Sequence, residues 1–242
     1  MTPDNYSGFD RYNSGHMSGT SLSNTMAQTM KKVYFKMTMG LLLTAFTALF
    51  CASSSAYANF IFSHSMLMWL FAIVEIGLVI GISAGINKLS NATASLLFYL
   101  FAFVNGLTLF TIFYLYSIPA IVKTFFITAG TFGAMSVYGY FTNKDLSKIG
   151  SLLFMALIGL VITTVVNMFM RSTLLSDWII PIAGVLIFIG LTAWDTQQIK
   201  AMAQQAPGTA VGRLATLGAL TLYLDFINLF LYLLRIFGNN RD

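Results

Sequence analysis

Seven apolar stretches, each about the 20 residues that a helix needs to cross a bilayer, alternate with short polar joints along this chain. They run at about 37–60, 66–86, 92–114, 120–141, 150–170, 178–200 and 214–237. Most joints have room only for a turn. The longest, 201–213, contains Pro207-Gly208, a break between helices. Residues 1–28 are rich in Ser, Asn, Thr, Gly and Met and lack apolar periodicity, so they read as a flexible polar tail. The start is polar for too long, with Asp4 and Asp10, to read as a signal peptide. The pattern predicts an all-α polytopic membrane protein: a tail over 1–28 and one transmembrane domain over 29–242.

Composition agrees. The 242 residues are 57% hydrophobic and 9% charged, where soluble domains carry about 25% charged residues, and mean hydropathy is +0.77. The net charge of +5 does not point to nucleic acid, because the basic residues punctuate the ends of apolar runs. There they set orientation. With the amino terminus in the cytoplasm, Arg11, Lys31, Lys32, Lys36, Lys88, Lys144, Lys148, Lys200 and Arg213 fall inside. Lys123, Arg171, Arg235 and Arg241 fall outside, which puts the carboxyl terminus in the periplasm of a bacterial cell. Trp69, Trp178 and Trp194 stand near span ends, where an aromatic belt would place them.

The chemistry lies in the polar residues inside spans. Glu75, Asp195 and Asp225 sit well inside, and no basic residue lies mid-span to pair with them. A bare aspartate at a helix centre costs about 2.5–3.5 kcal/mol on insertion scales, so the fold must satisfy each one. In a hairpin of the last two spans, Asp195 and Asp225 reach similar depth. Two acids in a low-dielectric site share a proton or hold a cation, which makes this pair the candidate site. The structural alternative is a protonated acid that only pins helices. Asn228, three residues past Asp225, shares its helix face and could bond the carboxyl. Asn105 and Asn167 read as interhelical hydrogen-bonding groups. Gly77, Gly81 and Gly85 read as a packing face, and so do Ser53, Ser54 and Ser55.

Several classes lose support. There is no Walker loop, no HExxH and no cysteine cluster, Cys51 being the single cysteine. His16 and His64 lie outside the spans, which removes a Ser–His dyad, and the seventh span has no lysine for a retinal Schiff base. An enzyme is not expected, and neither is a cofactor. Seven spans without a visible repeat weigh against an inverted-repeat transporter.

Ala193-Trp194-Asp195-Thr196-Gln197 and the run Leu217-Gly218-Ala219-Leu220-Thr221-Leu222-Tyr223-Leu224-Asp225-Phe226-Ile227-Asn228-Leu229-Phe230 strongly resemble the Bax inhibitor family, in particular its bacterial inner-membrane members. Gly130-Thr131-Phe132-Gly133-Ala134-Met135-Ser136 and Thr142-Asn143-Lys144-Asp145-Leu146-Ser147 look like its fourth span and the loop after it, and the likeness covers about 27–238. The resemblance implies seven helices with the last enclosed by the other six. It also implies a pH-sensitive calcium leak, controlled by two aspartates that match Asp195 and Asp225, with Glu75 matching an acid of the second helix. A bacterial relative carries an arginine eleven residues past that acid, which latches onto the first aspartate. Here that position is Ile86, and the nearest base is Lys88.

The expected function is therefore a passive, pH-gated Ca²⁺ leak in which Asp195 and Asp225 sense protons. With Glu75 and Asn228 they line the ion path, and the carboxylates are hard oxygen ligands for the permeant ion. The lipid bilayer, Ca²⁺ and H⁺ are its partners. The rival is a non-conducting membrane protein that binds and modulates another membrane complex, such as a protease. Topology is the first test: alkaline phosphatase fused after Asp242 is expected to be active. A fusion that fluoresces as a cytoplasmic GFP instead would mean that the seventh segment does not cross.

Overall fold

The computed structural model describes residues 19–170, 172, 174–205 and 210–238. All of its regular elements are helices. They are α1 (Gly19–Ser53), α2 (Ser55–Ser63), α3 (Met66–Gly85), α4 (Asn91–Leu109), α5 (Ile112–Leu115), α6 (Ile118–Phe141), α7 (Ser147–Met170), α8 (Ile180–Gln205, entered through a π-helical turn Leu175–Ile179) and α9 (Val211–Phe237). Seven of them, α1, α3, α4, α6, α7, α8 and α9, yield spans long and apolar enough to cross a membrane.

The starts and stops follow from side chains that offer the backbone another partner. Ser90 and Ser117 cap α4 and α6 by accepting the N–H of Thr93 at 3.1 Å and of Ala120 at 3.4 Å. Pro119 stands in the first turn of α6, where a missing N–H costs nothing. Asp145 Oδ1 accepts from the Ser147 N–H at 2.9 Å where α7 begins. That backbone bond, with the Ser147 hydroxyl and Lys148 nearby, holds its carboxyl below the usual aspartate range.

Three features depart from the sequence pattern. Residues 19–28, read as tail, already form the first turns of α1, while 1–18 lie outside the described residues. The first span is not one helix over 37–60. It breaks at Ser54, in extended conformation at φ −97° and ψ 101°, whose hydroxyl accepts the Tyr57 N–H at 3.3 Å and starts α2. The serine triplet is thus a helix break, because serine hydroxyls compete for backbone groups. Among the described residues the glycine face of α3 packs on no other helix: a Cβ on Gly77 or Gly81 would meet open space, and one on Gly85 would meet only Leu89 of the following turn.

The central helix is α9. Of its most apolar window 67% is buried, against 6% for α3, and it touches α1, α3, α4, α6 and α8. It carries Thr216, Tyr223 and Asp225, polar groups that lipid cannot satisfy, and all three are buried against the surrounding helices. Its own Leu220, Leu222, Tyr223, Leu229 and Leu234 are fully enclosed. α7 packs chiefly against α8. The outer faces carry Phe46, Leu96, Phe126 and Phe169, exposed for lipid contact.

Glycines set how near α8 comes to its neighbours. A Cβ on Gly139 of α6 would collide with the Ala193 carbonyl of α8, one on Gly150 of α7 with the Trp194 indole, and one on Gly184 with the Tyr232 ring of α9. Because Gly139 abuts backbone, relief requires moving a helix. Gly139→Ala is expected to cost about 1–3 kcal/mol as overpacking, read as a lowered melting temperature in detergent. Gly133→Ala, where a Cβ meets nothing within 4 Å, should leave it unchanged.

Candidate functional site

Asp195 and Asp225 meet. The carboxyl of Asp195 on α8 lies within hydrogen-bonding reach of that of Asp225 on α9. The hairpin register brings this about although the helix ends are out of step. Asp195 stands ten residues before Gln205 and Asp225 fourteen after Val211, a difference of about 6 Å at the helical rise. Asp225 is buried, with 4% of its surface exposed, and Asp195 is half-buried. Among the described residues no basic side chain pairs with either acid. Asp225 Oδ2 is sealed from solvent and has no hydrogen-bond partner among the described residues. Ionised carboxylates only accept hydrogen bonds. Their contact is therefore a bond when one of them carries a proton and a repulsion when neither does.

Successive residues of α8 splay in different directions, as helical geometry requires, and this accounts for the motif around Asp195. Asp195 faces α9. Thr196 is fully buried and meets Ser136 Oγ of α6 at 3.0 Å, and Ser136 meets the Tyr34 hydroxyl of α1 at 2.6 Å. Gln197 clamps the loop between α6 and α7, donating to the Lys144 carbonyl at 2.8 Å and accepting the Leu146 N–H at 2.9 Å. Lys200, one turn on, donates to the Tyr140 carbonyl at 2.6 Å and lies over the Tyr140 ring. The nearest base along α8 is therefore engaged away from the carboxyl pair. Sequence reasoning missed Tyr34, Ser136 and Thr196. The one available signal was a threonine adjoining an in-span acid.

Glu75 lies elsewhere. Its carboxylate accepts from Asn105 Nδ2 at 3.2 Å and Thr108 Oγ1 at 2.9 Å, both on α4. Asn105 Oδ1 in turn accepts from the Tyr223 hydroxyl at 3.0 Å, and Tyr223 meets Thr44 Oγ1 of α1 at 2.6 Å. This chain crosses the bundle from α3 through α4 and α9 to α1. It touches α9 two residues before Asp225, about 200° around the helix, so Glu75 reaches the opposite face from the carboxyl pair. The interhelical role expected of Asn105 is what the structure has. Asn167 instead accepts the Ser172 N–H at 3.0 Å and finishes α7. Asn228 does not bond the Asp225 carboxyl: it donates to the Leu224 carbonyl of its own helix at 2.8 Å. Ile86, at the place of a relative's arginine, is buried and apolar. Trp194 leaves the aromatic belt, its Nε1 buried and its indole against Gly150, while Trp69 and Trp178 stay exposed.

Among the described residues no group of three or more His, Cys, Asp or Glu gathers to hold a metal ion. Two carboxyls alone make a weak cation site. On the α1–α6 side a cleft of about 670 Å³ opens between Met30, Tyr34, Phe132 and Tyr140, with Ser136 in its wall. The cleft stops one hydroxyl contact, Ser136 to Thr196, short of α8.

Comparison with known proteins adds a family. A family model described as "Inhibitor of apoptosis-promoting Bax1" matches residues 26–242. Inner membrane protein YbhL of Escherichia coli (strain K12) is 49% identical over 215 residues, covering 88% of this chain and 92% of the relative. An uncharacterized protein of Borreliella burgdorferi is 46% identical over 215 residues, with the same coverage. The uncharacterized membrane protein SpyM3_0260 of Streptococcus pyogenes serotype M3 is 35% identical over 227 residues, covering 93% of this chain and 98% of that one.

The Tyr223 hydroxyl is the joint of the second network. Tyr223→Phe leaves the buried Asn105 Oδ1 without its donor, at an expected cost of about 1–3 kcal/mol. Thermal unfolding in detergent should read this as a clear loss, whereas Tyr114→Phe, an exposed hydroxyl on the Ala52 carbonyl, should leave the midpoint in place.

Proposed function

The chain belongs to the Bax inhibitor family, and on that premise we propose that it is a passive, pH-gated cation leak, for Ca²⁺, in the inner membrane. The observation that carries this reading is the pair Asp195–Asp225, in contact at the heart of the bundle with no basic partner among the described residues. With one shared proton the pair ties α8 to α9. With none, two like charges in a low-dielectric site push apart and attract a cation. The passage then opens beside α9 as pH rises and closes as pH falls. Ca²⁺ favours hard oxygen ligands. Two carboxylates without a fuller cage hold it weakly, which suits an ion in transit. Gly139, Gly150 and Gly184 pack α8 tightly against its neighbours, so a small shift of α8 is what opening would require. Asn228 and Glu75 are bonded elsewhere and drop out of the first set of ligands.

The test is Ca²⁺ flux into liposomes that contain the purified chain, followed from about pH 6 to about pH 8, where a coupled pair would show as macroscopic steps. Flux should rise with pH, and Asp195→Asn with Asp225→Asn should remove the pH dependence. A folded, inserted parent without flux would sink the proposal in favour of a non-conducting regulator of another membrane complex. Unchanged pH dependence in the double variant would leave a leak but take the switch away from this pair.

A further inference from the structure

We propose that the seam between α1 and α4 binds an anionic phospholipid, its phosphate among Lys31, Lys32 and Lys36 and an acyl chain in the apolar hollow further along. The two helices run side by side in the same direction. Lys36 meets Ser95, Thr44 meets the Ala102 carbonyl, and Thr47 closes against Gly106. Two hollows lie in this seam. The first, about 450 Å³, is lined by Lys31, Lys32, Phe35, Lys36 and Tyr99. The second, about 460 Å³, presents only apolar surface, from Leu43, Phe46, Phe50, Phe103 and Leu107 among others. Positions 36, 43, 47 and 50 on α1 and 99, 103 and 107 on α4 follow helical steps of three, four and seven, so one stripe on each helix lines both hollows. Lys36 and Phe46 are ten residues apart, about 15 Å along the helix, within the span of one acyl chain.

Depth fits a headgroup. The α1 span Asn24–Ser53 has 30 residues, about 45 Å of helix against about 30 Å of hydrocarbon. Its lysine end is the one beside the starts of α4 and α9. Lys36 donates to Ser95 at 2.5 Å and to Thr216 at 2.6 Å, four and five residues inside those helices. Both partners are neutral hydroxyls, and a third N–H remains for a ligand. No acidic side chain pairs with Lys31, Lys32 or Lys36 among the described residues. Lys88 and Arg213 add charge to the same rim, Arg213 donating to the Asn87 carbonyl at 2.8 Å. A soluble anion would satisfy the lysines and leave the apolar hollow without purpose. A zwitterionic lipid would fill the hollow and bring an ammonium against the lysines. An anionic lipid matches both.

The test is native mass spectrometry of the full chain in detergent, with dioleoyl phosphatidylglycerol beside dioleoyl phosphatidylcholine. Retention of the phosphatidylglycerol at concentrations where phosphatidylcholine is lost is expected. Lys31→Gln with Lys32→Gln spares the Lys36 bridge, so folding should persist. Its affinity for phosphatidylglycerol should fall by about fivefold for each lysine removed, with an unchanged melting temperature in lipid-free detergent. Equal retention of the two lipids, or undiminished phosphatidylglycerol binding by the variant, would overturn the proposal. Equal stabilisation by tail-less glycerophosphoglycerol or by inorganic phosphate would assign the lysines to a soluble anion and overturn it too.

Discussion

Hydrocarbon offers a polar group no water to fall back on, and that constraint organises this bundle. A polar side chain buried at membrane depth must look for its partner in the protein, and two of the clusters that result here touch α9. Glu75, Asn105, Tyr223 and Thr44 satisfy one another on one side of that helix. Asp195 and Asp225 meet on another. The helix that could least afford exposure to lipid, because it carries Thr216, Tyr223 and Asp225, is the one the others surround.

The two polar clusters differ in kind. The Glu75 cluster pairs donors with acceptors, so with Glu75 ionised each of its contacts is a bond. The carboxyl pair has acceptors on both sides and needs a proton to be a bond at all. Around it the scaffold is tight. Gly139 lets α6 rest on the α8 backbone, Gly150 seats the Trp194 indole and Gly184 seats Tyr232. Thr196 and Gln197 tether α8 to α6 and to its following loop. Inside this frame the carboxyl contact is the conditional one.

Much of this was legible in the chain, and the misreadings share a cause. Hydropathy located the spans to within a few residues at most ends, because about 20 apolar residues in a row have few other uses. It could not see the break at Ser54, where a local hydroxyl outcompetes the helix while apolar residues continue on both sides. The Gly77–Gly81 spacing matched a packing motif, yet both glycines look outward. Spacing describes one face of one helix and says nothing about whether a neighbour stands there. Asn228 shares a face with Asp225, but the amide reached the Leu224 carbonyl first. Trp194 sits at a span end by position and inside the bundle by packing.

From the residues alone came the membrane, the seven spans, the family likeness and the three in-span acids that had to be satisfied, because composition and period are properties of a single stretch of chain. Only the tertiary structure decided that Asp195 and Asp225 meet each other and that Glu75 belongs to a separate network. It also decided that three consecutive residues of α8 hold three different neighbours. The reason is geometric. Partnership between side chains depends on the rotation and register of packed helices, which arise from contacts among all of them and are written in no one segment.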